Sequence, residues 1–110
     1  MNKKELRNNF RESVLKRDGQ KCRKCGTPGG FMNVKLDAHH ICDRSIMPNG
    51  GYVVENGITL CDQQGGCHMK AEAFYMGKEV EPGFTPDELY LLIGSSYELA
   101  VEKSEALNID

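Results

Sequence analysis

The spacing of the cysteines constrains this chain more than any other feature. Cys22 and Cys25 form a CxxC pair, and Cys61 and Cys67 form a second pair separated by five residues that include two glycines. Structural zinc takes four thiolate or imidazole ligands in a tetrahedron, commonly as two close pairs from separate segments. A chain of 110 residues buries only a modest core, so a bound metal ion would add needed stability. We therefore predict a structural Zn²⁺ bound by all four.

The fifth cysteine supports a reducing environment. An odd number, five, suits metal ligands plus one free thiol better than a disulfide framework. Cys42 is predicted to be the free structural thiol, because a fifth ligand would overfill a closed tetrahedral site. The alternative is that the cysteines are small buried hydrophobic residues, which agrees poorly with polar neighbours such as Arg23, Lys24 and Asp62.

The sequence contains no apolar run near the ~20 residues of a membrane span, and no hydrophobic signal segment follows its N-terminus. We expect a cytoplasmic protein that does not bind membranes. Its formal net charge of −2 hides an uneven distribution. Residues 1–25 contain nine Lys and Arg against three acidic residues, and the remainder contains five against thirteen.

A basic helix is predicted over residues 3–17. Leu6, Phe10 and Val14 recur every four residues, which is typical of a helix with one buried stripe, and Asp18 and Gly19 end the pattern. The other faces are basic. They form either a solvated helix surface or a phosphate-binding one, and the charges alone do not separate these interpretations.

Two strands and further helices follow. Val34, Leu36 and Ala38 alternate as in a strand, residues 58–60 predict a second strand, and CHMKAEAFYM predicts a helix over residues 67–76. Residues 42–57 are predicted to form a long, turn-rich loop, and loops of this length usually have a functional role. This gives an α+β fold, with residues 1–78 carrying the first helix and the cysteines.

Residues 79–110 are acidic, with Lys103 as their only basic residue. Thr85 to Glu88 form a capping box that opens a helix, and Gly94 to Ser96 interrupt it before a second helix. We expect this helical extension to pack on the same domain, with a partner or self-association surface as the alternative use.

Three histidines and an asparagine occupy the ends of these elements. His39 and His40 are neighbours at a strand end, so their side chains point to opposite faces and need separate roles. Asn56 precedes the second strand, and His68 begins the helix after it. Each residue alone fits a structural histidine or a simple turn, but all four together favour a chemical site.

The segments CRKCG, LDAHHI, ENGITLC and CHMKAE, in this order, resemble the HNH endonuclease family. The resemblance covers residues 11–72, and the wide spacing between Cys61 and Cys67 departs from the usual family pattern. It implies a ββα-metal (His-Me finger) core held together by a four-cysteine zinc site. It also implies metal-dependent hydrolysis of DNA phosphodiester bonds, as nicks or double-strand cuts, leaving a 5′-phosphate and a 3′-hydroxyl.

The resemblance also implies residue roles. His40 matches the general base, His39 and His68 match the ligands of a catalytic divalent cation, and Asn56 matches the residue that orients the base. The expected cation is Mg²⁺, Mn²⁺ or Ni²⁺; two imidazoles favour the softer ions, and cellular abundance favours magnesium. Two nearby cations are candidate phosphate contacts, with exposed surface charges as the alternative: Arg44 and Lys70.

Two further hypotheses accompany the nuclease. One is a non-catalytic zinc-binding module that binds nucleic acid or protein, although pure binding needs no general base beside a metal ligand. The other is that the nuclease is a subunit of a larger assembly. A small HNH protein of this kind resembles those that phages encode beside their DNA-packaging machinery, so a packaging ATPase is an expected partner besides DNA. RNA stays an alternative substrate, because no base-reading set of residues stands out.

Overall fold

The computed structural model describes residues 1–109, which form an α+β fold around a two-stranded antiparallel sheet. Its elements are α1 (Lys3–Arg17), β1 (Lys35–His40), β2 (Gly57–Asp62), α2 (Cys67–Glu72), α3 (Pro86–Leu92) and α4 (Tyr97–Glu105). Short 3-10 turns occupy Phe31–Asn33, Pro48–Gly51 and Val54–Asn56. Within the described part of the chain, every helix is too short or too polar to cross a membrane.

Helix α1 has the predicted extent and the predicted buried stripe. The Asn2 side chain caps it by accepting a hydrogen bond from the Glu5 backbone N–H at 2.9 Å. The helix ends at Asp18, and Gly19 follows with a φ of +70°, a left-handed conformation that favours glycine. The apolar stripe packs against the sheet through four buried residues: Leu6, Phe10, Val14 and Leu15.

The register of the hairpin places Cys61 and the histidine pair at different ends of the two strands. Lys35 lies opposite Asp62, and His40 lies opposite Gly57. The cysteine near the end of β2 is therefore at one end of the sheet, and the histidine pair is at the other. Gly57 also allows α1 to approach closely, because a Cβ there would lie 2.5 Å from Val14 Cγ2.

One core connects the hairpin to the C-terminal helices. It contains Ile41, Ile58 and Leu60 from the hairpin region and Leu89 from α3, each 1% exposed or less. The cluster also includes Ala100 of α4. Residues from both predicted segments, 1–78 and 79–110, therefore bury their side chains together.

The helices after the hairpin differ in how closely they match the sequence pattern. The capping box of Thr85 and Glu88 is present, and Ser96 caps α4 as the predicted break requires. Helix α2 is shorter than predicted, ending at Glu72 instead of Met76. The chain turns there through Gly77, whose φ is +68°, so residues 73–77 form turns that close the helix.

Candidate metal centre and histidine cleft

The four predicted zinc ligands come together. The Sγ atoms of Cys22, Cys25, Cys61 and Cys67 all lie within 4.8 Å of one another, and those of Cys25 and Cys61 are 3.8 Å apart. A tetrahedral zinc ion with bonds of about 2.3 Å requires sulfur atoms about 3.8 Å apart. The cysteines are free thiols. The cluster therefore fits a structural metal ion such as zinc.

Backbone N–H groups support these sulfur atoms. The Cys25 N–H donates to Cys22 Sγ at 3.5 Å, and the Cys67 N–H donates to Cys61 Sγ at 3.3 Å. Burial raises the pKa of Cys67, and the neighbouring Cys22 and Cys61 raise it further. Burial raises the pKa of Cys61 as well, so these two thiols resist ionisation without a cation. A metal ion that binds them would displace their protons, and its binding would stabilise the fold.

Cys42 lies outside this cluster, as predicted for a free structural thiol. Its side chain is buried, and burial raises its pKa. Its backbone N–H and carbonyl both contact the side chain of Asn56. Cys42 is therefore part of the framework behind the histidines.

A surface cleft of about 500 Å³ opens between β1, the residues that follow it, and α2. It brings together all three histidines of the chain with acidic and basic side chains. We call it the histidine cleft, and its lining consists of Asp37, Ala38, His39, His40, Asp43, Arg44, His68, Glu72, Tyr75 and Met76.

Strand alternation directs the two neighbouring histidines to different helices. The His39 ring lies 5.2 Å from the His68 ring of α2, measured between centroids. The His40 ring stacks on Phe10 of α1 at 4.4 Å and meets Tyr52 edge-on at 4.9 Å. Both rings still border the same cleft, so one neighbour faces α2 while the other is held by aromatic contacts against α1.

Both imidazoles are held in the neutral form. Burial lowers the pKa of His39 to about 3, and the charges of His68 and His40 contribute in the same direction. Burial lowers the pKa of His40 to about 4, and Arg44 adds to this effect. The Nε2 atoms of both are buried and have no hydrogen-bond partner among residues 1–109. Neutral nitrogens of this kind can accept a proton or bind a cation.

Carboxylates surround His68, and sequence analysis missed them. His68 Nε2 lies 3.2 Å from Asp37 Oδ2 and 3.1 Å from Glu72 Oε1, while Nδ1 lies 3.3 Å from Asp62 Oδ1. The sequence contained a signal for two of these. Asp37 shares a strand face with His39, and Glu72 is four residues after His68 on a helix.

The carboxylates around His68 favour a bound cation. A neutral imidazole carries a proton on only one of its two nitrogens, so one lone pair of His68 faces a carboxylate oxygen, which is unfavourable. A divalent cation bound at Nε2 and shared with the Asp37 and Glu72 carboxylates would remove this repulsion. The Asp62 carboxylate can meanwhile accept from Nδ1–H, a contact that orients metal-binding histidines in many sites.

Asn56 is fully buried behind the histidines and supports the loop that follows them. Its Oδ1 accepts from the Cys42 N–H at 3.0 Å and from the Tyr90 hydroxyl at 2.5 Å. Its Nδ2 donates to the carbonyls of Cys42 and Gly51 at 3.1 and 3.2 Å. The side chain thus connects residues 42 and 51 to α3. The contribution of Tyr90 had no local sequence signal.

The two predicted phosphate contacts have different locations. Arg44 is exposed at the rim of the histidine cleft, and no described carboxylate lies within ion-pair distance of it. Lys70 lies outside the cleft lining. Its Nζ is 3.1 Å from Glu81 Oε2 and 5.7 Å from the centre of the Phe84 ring. Of the two predicted phosphate contacts, Arg44 therefore borders the histidine cleft and Lys70 does not.

No protein-family model, curated protein or solved structure matches this chain.

Proposed function

We propose that this chain is a metal-dependent phosphodiester hydrolase, and more narrowly a DNA endonuclease of the HNH type. In this proposal β1, β2 and α2 form the ββα-metal core, and the cysteine cluster is its structural zinc site. One observation carries the proposal. Two neutral imidazoles with unpartnered buried nitrogens, His39 and His40, border the same cleft as His68 and its carboxylates.

The ligands proposed for the divalent cation are His39 and His68, with Asp37 and Glu72 beside them. Two imidazoles that share one cation through bonds of about 2.0–2.1 Å have ring centroids about 4.5–5.2 Å apart. The observed separation of 5.2 Å agrees with that range. Mixed nitrogen and carboxylate ligands suit Mn²⁺ and Ni²⁺ and tolerate Mg²⁺. A bound cation would supply stabilisation of negative charge on the phosphate oxygens.

His40 is the proposed general base. Its Nε2 accepts a proton from a water molecule whose oxygen forms a new bond to phosphorus while the bond to the 3′ oxygen breaks. The 3′ oxygen takes a proton from solvent water as it leaves, so the products are a 5′-phosphate and a 3′-hydroxyl. The stacking of His40 on Phe10 and its contact with Tyr52 fix the orientation of the ring, and Asn56 holds the loop that follows it. Arg44 at the rim is placed to contact a phosphate.

The test is cleavage of supercoiled plasmid by the full-length, zinc-loaded protein, with Mg²⁺, Mn²⁺, Ni²⁺ or no added cation. We expect cation-dependent nicking or linearisation. In His40→Ala the rate should fall on the order of 100-fold or more, because a positioned general base contributes that much. Zinc content and circular dichroism check that the variant is folded.

Lys70→Ala provides a matched control, since it removes a side chain from α2 outside the cleft. It should cleave at the wild-type rate. Cleavage retained by His40→Ala would reject His40 as the base. A folded, zinc-loaded wild-type protein that cuts nothing with any cation would reject the enzyme in favour of a non-catalytic zinc-binding module.

A phage packaging ATPase is a separate proposal for the partner of the acidic C-terminal helices. Leu91 and Leu92 of α3 and Tyr97 of α4 are exposed by 79%, 40% and 47%, so this surface offers apolar area for docking. Copurification of the protein with the ATPase, weakened by Leu91→Ser, is the expected result. No association with the purified ATPase would reject this partner.

A further inference from the structure

The histidine cleft continues into a groove along α1. A smaller hollow of about 150 Å³ shares His40 and Arg44 with the cleft and is bordered by Arg7, Arg11 and Tyr52. A further hollow of about 510 Å³ shares Arg7, Arg44 and Tyr52 with the smaller one and reaches Lys3. Because each hollow shares residues with the next, the surface is continuous. We call it the α1 groove, with Lys3, Arg7, Arg11, Arg44 and Tyr52 as its defining residues.

The groove concentrates positive charge on one stripe of α1. Lys3, Arg7 and Arg11 are spaced by four residues, which places them on one helix face with about 6 Å of axial rise between neighbours. That rise is comparable to the separation of successive phosphates along a nucleic-acid strand. Lys3, Arg7, Arg11 and Arg44 are all exposed. Residues 1–109 provide no carboxylate within ion-pair distance of them.

Three other cations have structural partners: Arg17, Arg23 and Lys70. Arg17 donates to Asp18 and to the carbonyls of Val54 and Gly57. Arg23 donates to the same carboxylate, and Lys70 pairs with Glu81 on another surface. Asp37, at the cleft end, is the one described carboxylate that borders the smaller hollow. Arg11 also donates to the Leu36 carbonyl at 3.4 Å, which leaves its charge without a carboxylate partner. The groove therefore brings four exposed cations onto one continuous surface.

We propose that the α1 groove binds the phosphate backbone of duplex DNA and leads one strand to His40. This inference rests on the proposed function, from which it takes DNA as the occupant. It assigns Arg7 and Arg11, with Arg44 at the junction, as backbone contacts. Contacts to phosphates position the duplex without reading its sequence.

The test measures binding of the full-length, zinc-loaded protein to a short fluorescein-labelled duplex by anisotropy, with no added divalent cation. The groove variant is Arg7→Gln/Arg11→Gln. The matched control is Lys16→Gln/Lys21→Gln, which removes the same net charge from exposed positions that do not line the groove. Affinity is measured from roughly 50 to 200 mM salt, because each phosphate contact steepens the salt dependence by about 0.9 in a log–log plot.

In the groove variant the slope should fall by about 1.8 and the affinity by on the order of ten-fold, while the control stays near wild type. Equal weakening of both pairs would overturn the inference, since net charge alone would explain binding. A wild-type protein that does not bind duplex DNA, or binds only RNA, would also overturn it.

Failure of the inference is distinguishable from failure of the nuclease. Plasmid cleavage with unchanged duplex binding in Arg7→Gln/Arg11→Gln rejects the groove and keeps the enzyme. Selective loss of binding in that variant, without cleavage by the wild type, supports the groove and rejects the enzyme. Thermal unfolding of each variant checks that the exposed substitutions leave the fold intact.

Discussion

The cysteine cluster and the histidine cleft meet at helix α2, which supplies Cys67 to one and His68 to the other, and they differ in how their donor atoms are satisfied. In the cluster, four sulfur atoms face one another within 4.8 Å, and backbone N–H groups support two of them. In the cleft, the Nε2 atoms of His39 and His40 have no partner among the described residues. A ligand set whose members face one another suits a structural site, whereas nitrogens without a protein partner are available to bind a cation or accept a proton.

The two sites should also differ in how much they contribute to stability. The cluster connects the segment after α1 to β2 and α2, so losing it affects the whole fold. The cleft is a surface feature bordered by β1, the residues that follow it and α2, so its exposed side chains can change with less effect on the core. Substitutions in the cysteine cluster should therefore lower stability, whereas substitutions in the histidine cleft should change cation binding with less effect on the fold.

The largest expected effect is at the cluster. Cys61→Ser should abolish zinc binding and the cooperative fold, because structural zinc in small domains contributes on the order of 10–16 kcal/mol of apparent free energy. Zinc content by mass spectrometry and amide dispersion by NMR measure this. Cys42→Ala is the matched control, which removes a buried thiol outside the cluster and should retain one zinc. A Cys61→Ser protein with native dispersion and bound zinc would contradict the assignment.

The support behind the cleft should give the next largest effect. Asn56→Ala should lower the free energy of unfolding by about 3 kcal/mol, because it leaves buried groups of Cys42, Gly51 and Tyr90 without their partner. Tyr90→Phe removes only one of these bonds and should cost about 1 kcal/mol. Urea unfolding of the zinc-loaded proteins measures both. Equal costs for the two variants would show that Asn56 is not the main support of the loop.

Asp18 connects α1 to the first cysteine pair and to β2. Its buried carboxylate accepts from Arg17 at 2.8 Å, from Arg23 at 2.7 Å and from the Thr59 N–H at 2.8 Å. Burial raises the pKa of Asp18, but these hydrogen bonds outweigh burial and lower the pKa below 3.8. The carboxylate's contribution to stability is therefore complete above that pH and is lost as the pH falls through the lowered pKa.

Asp18→Asn should lower the free energy of unfolding at pH 7 by about 2 kcal/mol, since both arginines lose a charged partner. Glu12→Gln removes the same charge from an exposed position of α1 and should change stability by less than about 0.5 kcal/mol. Urea unfolding compares the pair. A cost for Asp18→Asn no larger than that of Glu12→Gln would contradict the proposed connection.

Local patterns predicted much of this structure. The apolar stripe of α1, its end at Asp18 and the capping box of Thr85 and Glu88 are set by neighbours within a few residues, and the structure confirms them. The cysteine cluster was also predictable, because its chemistry allows few arrangements. The length of α2 was not, since an apolar and aromatic run continues past Glu72 while the backbone turns.

Contacts between distant residues were the part that sequence patterns did not reveal. Lys70 is near His68 in sequence but pairs with Glu81, eleven positions farther along the chain. The Tyr90 hydroxyl reaches Asn56 across 34 positions. Such partners depend on how α3 and the segment after α2 pack on the hairpin. Neither hydrophobic periodicity nor the spacing of motifs in the sequence reveals this packing. The acidic groups around His68 were predictable in part, from their spacing to the histidines.

The smallest expected effect is in the histidine cleft, at the carboxylates around His68. Glu72→Gln keeps the size of the side chain but removes a negative charge 3.1 Å from His68 Nε2. We expect about ten-fold weaker Mn²⁺ binding with little change in stability, because groups beside metal ligands commonly have effects of that size. Calorimetric titration of Mn²⁺ into the zinc-loaded protein measures the affinity.

Glu105→Gln is the matched control for this titration, because it removes the same charge from the end of α4, outside the cleft lining. Its Mn²⁺ affinity should equal that of the wild type. An equal loss in both variants would mean that overall charge attracts the cation, and an unchanged affinity in Glu72→Gln would remove this carboxylate from the cation site. A selective loss would show that the histidine cleft binds a divalent cation through specific side chains. Both sites would then bind a metal ion. They would differ in their ligands, because the cysteine cluster supplies all four from the protein and the histidine cleft leaves some to solvent.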